Sequence, residues 1–267
     1  MSVSVEYIGR FGNWMFQYAC ARRFALQNGL KLETNFPECP ILSTTAHPEG
    51  RSIAGPPQVI TDDDAGLFSH PYPPARYALR GFFQRPKWYE DKVEIRKFFA
   101  LKEEHRLEKN SADIVINLRL EDYKRLHCVI HPKWYLDILK RESFRKLYIT
   151  GTYNLSQAFD RKYLGLFSPY SPILIPPDPV RNFYFLMSFD KIICSNSTFC
   201  WWAAWFGGAS RIYMFQDWTG NGLPYASPSN LQHTIQLPGT LMAGLTTTPI
   251  SLGALKLWDK LWNPASR

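Results

Sequence analysis

Three segments of the 267-residue chain combine polar side chains with the kind of local backbone that presents them to a ligand. The first is Asn117-Leu118-Arg119-Leu120-Glu121-Asp122-Tyr123, which follows the apolar run Ile114-Val115-Ile116. It reads as the end of a buried strand opening into a loop. A guanidinium there offers a planar, two-pronged donor to phosphate oxygens. Transfer of a sugar from a nucleoside diphosphate builds negative charge on the leaving group. A cation fixed in advance is needed where that charge develops. The same spacing also fits a strand-end arginine that does no more than pair with Asp122.

The second segment is Ser195-Asn196-Ser197-Thr198-Phe199, between the strand-like Lys191-Ile192-Ile193-Cys194 and an apolar helical stretch through Phe206. Hydroxyls and backbone N–H groups at a helix N-terminus form an anion cradle. An ordinary N-cap also favours serine and threonine, but one cap does not require four polar residues in succession. Trp201, Trp202 and Trp205 fit packing of that helix onto a sheet better than contact with a sugar.

The third is Gly9-Arg10-Phe11-Gly12-Asn13, between the alternating strand Val3 to Ile8 and a helix from Trp14 to Asn28 that Gly29 stops. Glycines let backbone and ligand approach closely. The turn is not the dinucleotide-binding pattern.

Two other groups invite a metal. Asp62-Asp63-Asp64 could hold a divalent cation against a diphosphate, but no clear strand precedes it, and it also reads as a helix-capping run. His127 and His131 are four apart, and Pro132 breaks the continuous helix that would align them. No metal site is expected.

The elements that must position these residues alternate between strand and helix. Residues 36–76 are rich in Pro, Gly, Ser and Thr and read as mostly loop. Trp88 to Leu101 reads as a helix and Lys102 to Ser111 as a linker. Asp113 to Leu120 reads as a strand, Pro132 to Lys140 as a helix with proline at its first turn, and Leu147 to Thr150 as a strand ended by Gly151. Tyr184 to Phe189 fits a helix and Ile212 to Phe215 a late strand. Such alternation predicts doubly wound α/β units, whose ligands sit at the carboxyl ends of the strands.

Composition sets outer bounds. Apolar residues make up 45% and charged residues 20%, which excludes a disordered chain. The net charge of +8 favours an anionic partner, but no long Lys/Arg run marks a nucleic-acid tail. Five cysteines are scattered without a CxxC pair, which points to reduced thiols. No signal pattern and no apolar run of about 20 residues is present. The expected location is the cytoplasm, soluble or peripheral to a membrane.

Taken together, the segments resemble the α-1,2-fucosyltransferase family (glycosyltransferase family 11-like), and more distantly the protein-O-fucosyltransferases. Gly9 to Ala19, reading GRFGNWMFQYA, is similar to the family's N-terminal signature. Gly81-Phe82-Phe83-Gln84, then Tyr89-Glu90-Asp91 and Ile95-Arg96, is similar to its second stretch. Arg119, Asp122 and Tyr123 match its HxRxGDY motif. Ser195 to Phe199 with Trp201-Trp202-Ala203-Ala204-Trp205 match its late NSSFSWWAAW motif. The matches come in family order from residue 9 to residue 205. Asn117 and Glu121 stand where the family has His and Gly. Gly151-Thr152-Tyr153 stands where it tends to carry Ser-Asp-Asp.

The resemblance implies an inverting, metal-independent transfer of L-fucose from GDP-fucose onto a glycan hydroxyl. The departures leave another nucleotide sugar open as donor. It also implies an α/β, GT-B-like fold of two Rossmann-like domains facing a cleft. Residues 1–105 would form the acceptor side. Residues 106–267 would form the donor side, with an amphipathic C-terminal helix from Leu252 to Trp262 packing back. The expected catalytic residues are Arg119, Asn13 and Asp122. Donor binding falls to Asn117, Ser195, Asn196, Ser197, Thr198, Phe199, Arg10 and Gly12. No cofactor is expected; the partners are the nucleotide-sugar donor and a glycan acceptor, not nucleic acid. Candidates for a base are Glu6, Glu121, Asp122 and His127. Rival readings are a non-catalytic glycan-binding relative and, on charge alone, an RNA-binding protein.

Overall fold

A computed structural model of the chain describes residues 2–46, 55–64, 66–125, 129–130 and 132–214. The expected C-terminal helix Leu252 to Trp262, together with His127 and His131, lies outside the described residues. The chain divides into two compact units, Met1–Glu104 and a second that begins at His105.

The first unit opens with β1 (Ser2–Val5), α1 (Phe11–Asn28) and β2 (Lys31–Glu33). Gly29 ends α1 in a left-handed conformation, φ 61°, and Leu30 N–H bonds back to the Ala25 carbonyl at 2.9 Å. That closing bond satisfies carbonyls the helix end would otherwise leave bare. β3 (Leu42–Thr44), β4 (Gln58–Thr61), β5 (Arg76–Arg80), α2 (Lys92–Arg96) and β6 (Phe99–Leu101) follow. A parallel sheet forms in the order β2-β1-β5-β4, and β3 pairs β6 antiparallel. The sheet order reverses between β1 and β5. The turns leaving these two strands carry Gly9 to Asn13 and Gly81 to Gln84.

The described residues between 36 and 76 are mostly loop, as expected, and carry only the short strands β3 and β4 and the start of β5. β3 and β4 are each made by a partner distant in sequence rather than by local propensity. One expectation fails here: Trp88 to Leu101 is not one helix. A 3-10 turn covers Pro86–Tyr89, Asp91 caps α2 by accepting from Glu94 N–H at 2.9 Å, and Phe99 to Leu101 are drawn into pairing with β3.

In the second unit, β7 (Asn110–Arg119) is followed by α3 (Glu121–Arg125), α4 (Pro132–Leu139), β8 (Leu147–Thr152) and α5 (Ala158–Gly165). Then come β9 (Ile173–Leu174), α6 (Pro179–Met187), β10 (Phe189–Cys194), α7 (Thr198–Gly207) and β11 (Arg211–Met214). All pairings are parallel, in the order β11-β10-β7-β8-β9. Counted along the chain from β7, that is the 3-2-1-4-5 order of a Rossmann sheet. Its direction reverses between β7 and β10.

β7 is central, and Asp113 to Leu118 are all buried. Ile114, Ile116 and Leu118 pack with Trp134, Tyr135 and Tyr163 from α4 and α5. On the other face, α6 packs on α7 and both lie on β10. Trp201, Trp202 and Trp205 are fully buried there, with Trp201 and Trp202 edge to face at 4.8 Å. These rings are core, as their helical spacing suggests.

The sequence places some boundaries wrongly. The expected linker Lys102 to Ser111 ends inside β7. β8 runs through Gly151 to Thr152 instead of stopping before it. The expected helix Tyr184 to Phe189 starts earlier, at Pro179, where Asp178 accepts from Arg181 N–H at 3.0 Å. Phe189 already belongs to β10. No helix among the described residues is long and apolar enough to cross a membrane.

Candidate active site

At the carboxyl end of β7, Arg119 Nη2 donates to Asp122 Oδ2 at 2.7 Å, and only 14% and 15% of the two side chains is exposed. The guanidinium carbon lies 4.5 Å from the centre of the Tyr123 ring. The ion pair and the ring therefore fix the plane of the fork. α3, which carries both partners, is anchored at two further points. Tyr123 donates its hydroxyl to the Asn196 carbonyl at 2.5 Å, and Lys124 Nζ meets the fully buried Asp160 at 2.5 Å. The strand-end pair foreseen as the plainer alternative is thus real. It leaves Arg119 Nε buried without a hydrogen-bond partner.

Across the reversal point, β10 ends at Cys194 beside Asn117 of β7. Ser195 N–H bonds to the Asn117 carbonyl at 3.0 Å, and its hydroxyl reaches Asn117 Oδ1 at 3.3 Å. Asn117 and Ser195 are both buried and are spent on holding the loop to the sheet. Asn196 is fully buried and gives its carbonyl to Tyr123. Ser197 occupies the N-cap of α7 in extended backbone, yet its hydroxyl does not turn back to cap the helix. That Oγ is buried with no hydrogen-bond partner. Thr198 and Phe199 follow in the first turn and are half-buried, with Phe199 edge to face on Phe183 at 5.4 Å.

Buried polar atoms without partners are scarce in folded proteins, and each one calls for an explanation. Three of them sit at the carboxyl ends of neighbouring strands: Arg119 Nε on β7, Thr152 Oγ1 on β8 and Ser197 Oγ after β10. Doubly wound sheets bind ligands at that edge, at the point of strand reversal. The polarity of the three is informative. Nε–H donates only, and both hydroxyls can donate. A ligand rich in acceptors fits them, and an oxyanion fits best.

Arg10, Gly12 and Asn13 lie in the first unit. Arg10 is exposed, at the N-cap of α1. Gly12 is buried. Asn13 Oδ1 accepts from Gln84 Nε2 at 3.0 Å, and its amide lies over Gly9, whose φ is 81°. A side chain at Gly9 would collide with that amide. Gln17 ties the same pieces together, accepting from Ile8 N–H at 3.2 Å and donating to the Gly81 carbonyl at 2.9 Å. Tyr89 adds bonds to the carbonyls of Phe83, at 2.6 Å, and Phe16, at 3.1 Å. The two motif segments of this unit thus hold each other. Asn13 stands at its own strand reversal, apart in sequence and in unit from Arg119.

The acidic triplet has structural work. Asp62 Oδ2 accepts from Phe82 N–H at 2.8 Å and supports the turn in which Phe83 adopts φ 53°. Asp64 accepts from Gly66 N–H at 2.9 Å and from the Tyr72 hydroxyl. Among the described residues, no group of three or more His, Cys, Asp or Glu is placed to hold a metal ion. Of the candidate bases, Glu6 is exposed and meets Arg80 Nε at 3.1 Å. Glu121 is exposed at the start of α3. Asp122 is committed to Arg119.

Sequence reading passed over the function of Gln17, Gln84 and Asp62, whose signal was only their place within or near the motifs. Thr152 entered it only as a departure from the family pattern.

No family model matches the chain, and no curated protein does. Among solved structures it is similar to that of NodZ, an α-1,6-fucosyltransferase soaked with GDP-fucose. The TM-score is 0.47 and the identity 13%, over 87% of this chain and 97% of that one.

Proposed function

We propose that the protein is a glycosyltransferase that takes its sugar from a nucleoside diphosphate without a metal ion. The observation that carries this reading is the pair of unpartnered donors, Arg119 Nε and Ser197 Oγ, on the two sides of the strand reversal between β7 and β10. The diphosphate of the donor lies between them. Arg119, held by Asp122 and Tyr123, stabilises the charge that grows on the leaving group, and the N-terminus of α7 adds its dipole. The acceptor glycan is bound through the first unit, where Asn13 and Gln84 orient it. The two units then work as a GT-B enzyme does. The resemblance to α-1,2-fucosyltransferases makes GDP-fucose the first donor to test and inversion the expected stereochemistry.

A thermal-shift series with GDP, GDP-fucose, UDP and RNA tests the reading. Stabilisation that rises with the logarithm of nucleotide concentration supports it. Stabilisation by RNA alone overturns it. Incubation with nucleotide sugars and mixed glycans, read by mass spectrometry, then names donor and acceptor.

A further inference from the structure

β8 carries two threonines on one face, two residues apart, and only one of them is used by the fold. Thr150 is fully buried, and its hydroxyl meets the side-chain amide of Asn182 on α6, with 2.8 Å between Thr150 Oγ1 and the amide oxygen. Thr152 Oγ1 is likewise out of solvent and has no partner. The next residue, Tyr153, spends its hydroxyl on the Ile175 carbonyl at 2.6 Å. Leaving a hydroxyl buried and unbonded costs free energy that a valine would not.

Thr152 is the register partner of Arg119 in the parallel pairing of β7 with β8. Register partners in a parallel pair project to the same face of the sheet. The Thr152 hydroxyl therefore stands on the same face as the arginine whose Nε is also unpartnered. Its backbone is fixed as well: Leu120 N–H bonds to the Thr152 carbonyl at 2.9 Å. The preceding Gly151 has φ 130°, and a Cβ there would lie 1.9 Å from the Leu118 carbonyl oxygen. β8 thus runs hard against β7 just below the site, and a rigid strand presents the hydroxyl.

We infer that Thr152 contacts the donor, its hydroxyl and Arg119 Nε–H together grasping one phosphate group of the nucleoside diphosphate. The inference rests on the proposed donor site and adds a residue to it. A neutral hydroxyl beside Arg119 adds no second carboxylate to the one, Asp122, that the arginine meets among the described residues, so its charge remains directed at the phosphate.

The test compares Thr152→Val with Thr152→Ser by calorimetric titration of GDP and UDP, with guanosine and uridine as probes lacking the phosphates. Thr152→Val is expected to weaken binding of the nucleoside diphosphate about tenfold, as loss of a hydrogen bond to a charged group does. Thr152→Ser should bind as the natural protein does, and nucleoside binding should not change. The ligand-free Tm of Thr152→Val should hold or rise, because an unbonded hydroxyl has been removed. A purely structural threonine would lower it. Undiminished diphosphate binding by Thr152→Val, or a fall in its ligand-free Tm, overturns the inference and leaves the donor site standing. If the natural protein binds neither GDP nor UDP, the donor site itself is overturned.

Discussion

Arg119 and Asp122 are joined at a single nitrogen. Nη2 is held at 2.7 Å, and Nε, whose N–H lies on the same edge of the guanidinium, is left unbonded. A pair serving stability alone gains most when both prongs are used. Here the carboxylate grips one corner, the Tyr123 ring covers one face, and the rest of the fork is preset toward the strand ends.

Arg119→Ala is therefore expected to lower kcat/KM by about 10²–10³ while far-UV circular dichroism and Tm stay near normal. Arg119→Lys should recover little of this, since a point charge cannot reproduce a fixed plane. Steady-state kinetics on both variants decide the matter; near-normal turnover in either removes Arg119 from the chemistry.

Chelation should leave turnover intact. Asp63 is exposed and can be replaced by alanine with little effect on rate or stability. Asp62→Ala should instead cost about 1–3 kcal/mol, because Phe82 N–H loses its half-buried acceptor. Activity with EDTA, alongside urea melts of the two variants, separates metal loss from turn loss. A metal enzyme would lose turnover with EDTA and with Asp63→Ala together.

Asn13 and Gln84 should behave as one device. Each alanine variant is expected to reduce kcat/KM without introducing a new pH dependence, since neither amide titrates. The double variant should fall short of the summed losses by about 0.5–3 kcal/mol, the range for residues in direct contact. Strict additivity in the cycle would separate the two roles, and Asn13→Ala with unchanged kcat/KM would make the glycine turn structural only.

Gly151→Ala should destabilise the protein by about 2 kcal/mol or more, combining backbone strain with overpacking against Leu118. The measurement is a chemical denaturation midpoint. An unchanged midpoint would mean that β8 can move away from β7.

Cys194 and Cys200 lie side by side in the core, both fully buried. Burial, reinforced by the neighbouring sulfur, pushes the Cys200 thiol well above its usual range. The Cys200 thiol is thus held in its unreactive form and Cys194 is closed off by burial, so iodoacetamide at neutral pH should leave both unmodified until denaturant is added. Peptide mapping by mass spectrometry reads this directly, and modification in the native protein would show that the helix packing opens.

How much of this was legible in the sequence depended on the range of the forces involved. β7 and α1 announce themselves, one by an unbroken apolar run and the other by a glycine stop, and both signals are local. β3, β4 and β6 do not, because each is too short to show a period and exists through a distant partner. At the site, Arg119 and the Ser195–Phe199 loop were visible as polar groups at strand ends. The division of labour within that loop was not. Ser195 serves the sheet while the Ser197 hydroxyl is left unbonded, and only the register of β10 on β7 distinguishes them. Thr152 was hidden for the same reason: nothing near it in sequence reveals that Arg119 stands beside it.

The sheet order also dictates when the site can come into being. β10 follows β8 and β9, which lie on the other side of β7, so Arg119 and Ser197, at the ends of adjacent strands, are 78 residues apart in the chain. On the ribosome, Arg119 would emerge well before the residues that face it across the sheet. At about 5–20 residues per second, several seconds separate the two. Through that interval the edge of β7 that will receive β10 is an open template for other strands. A nascent chain stalled short of Phe206 should therefore be recognised by chaperones that bind exposed strand edges, and nucleotide should begin to rescue it only once α7 has cleared the exit tunnel.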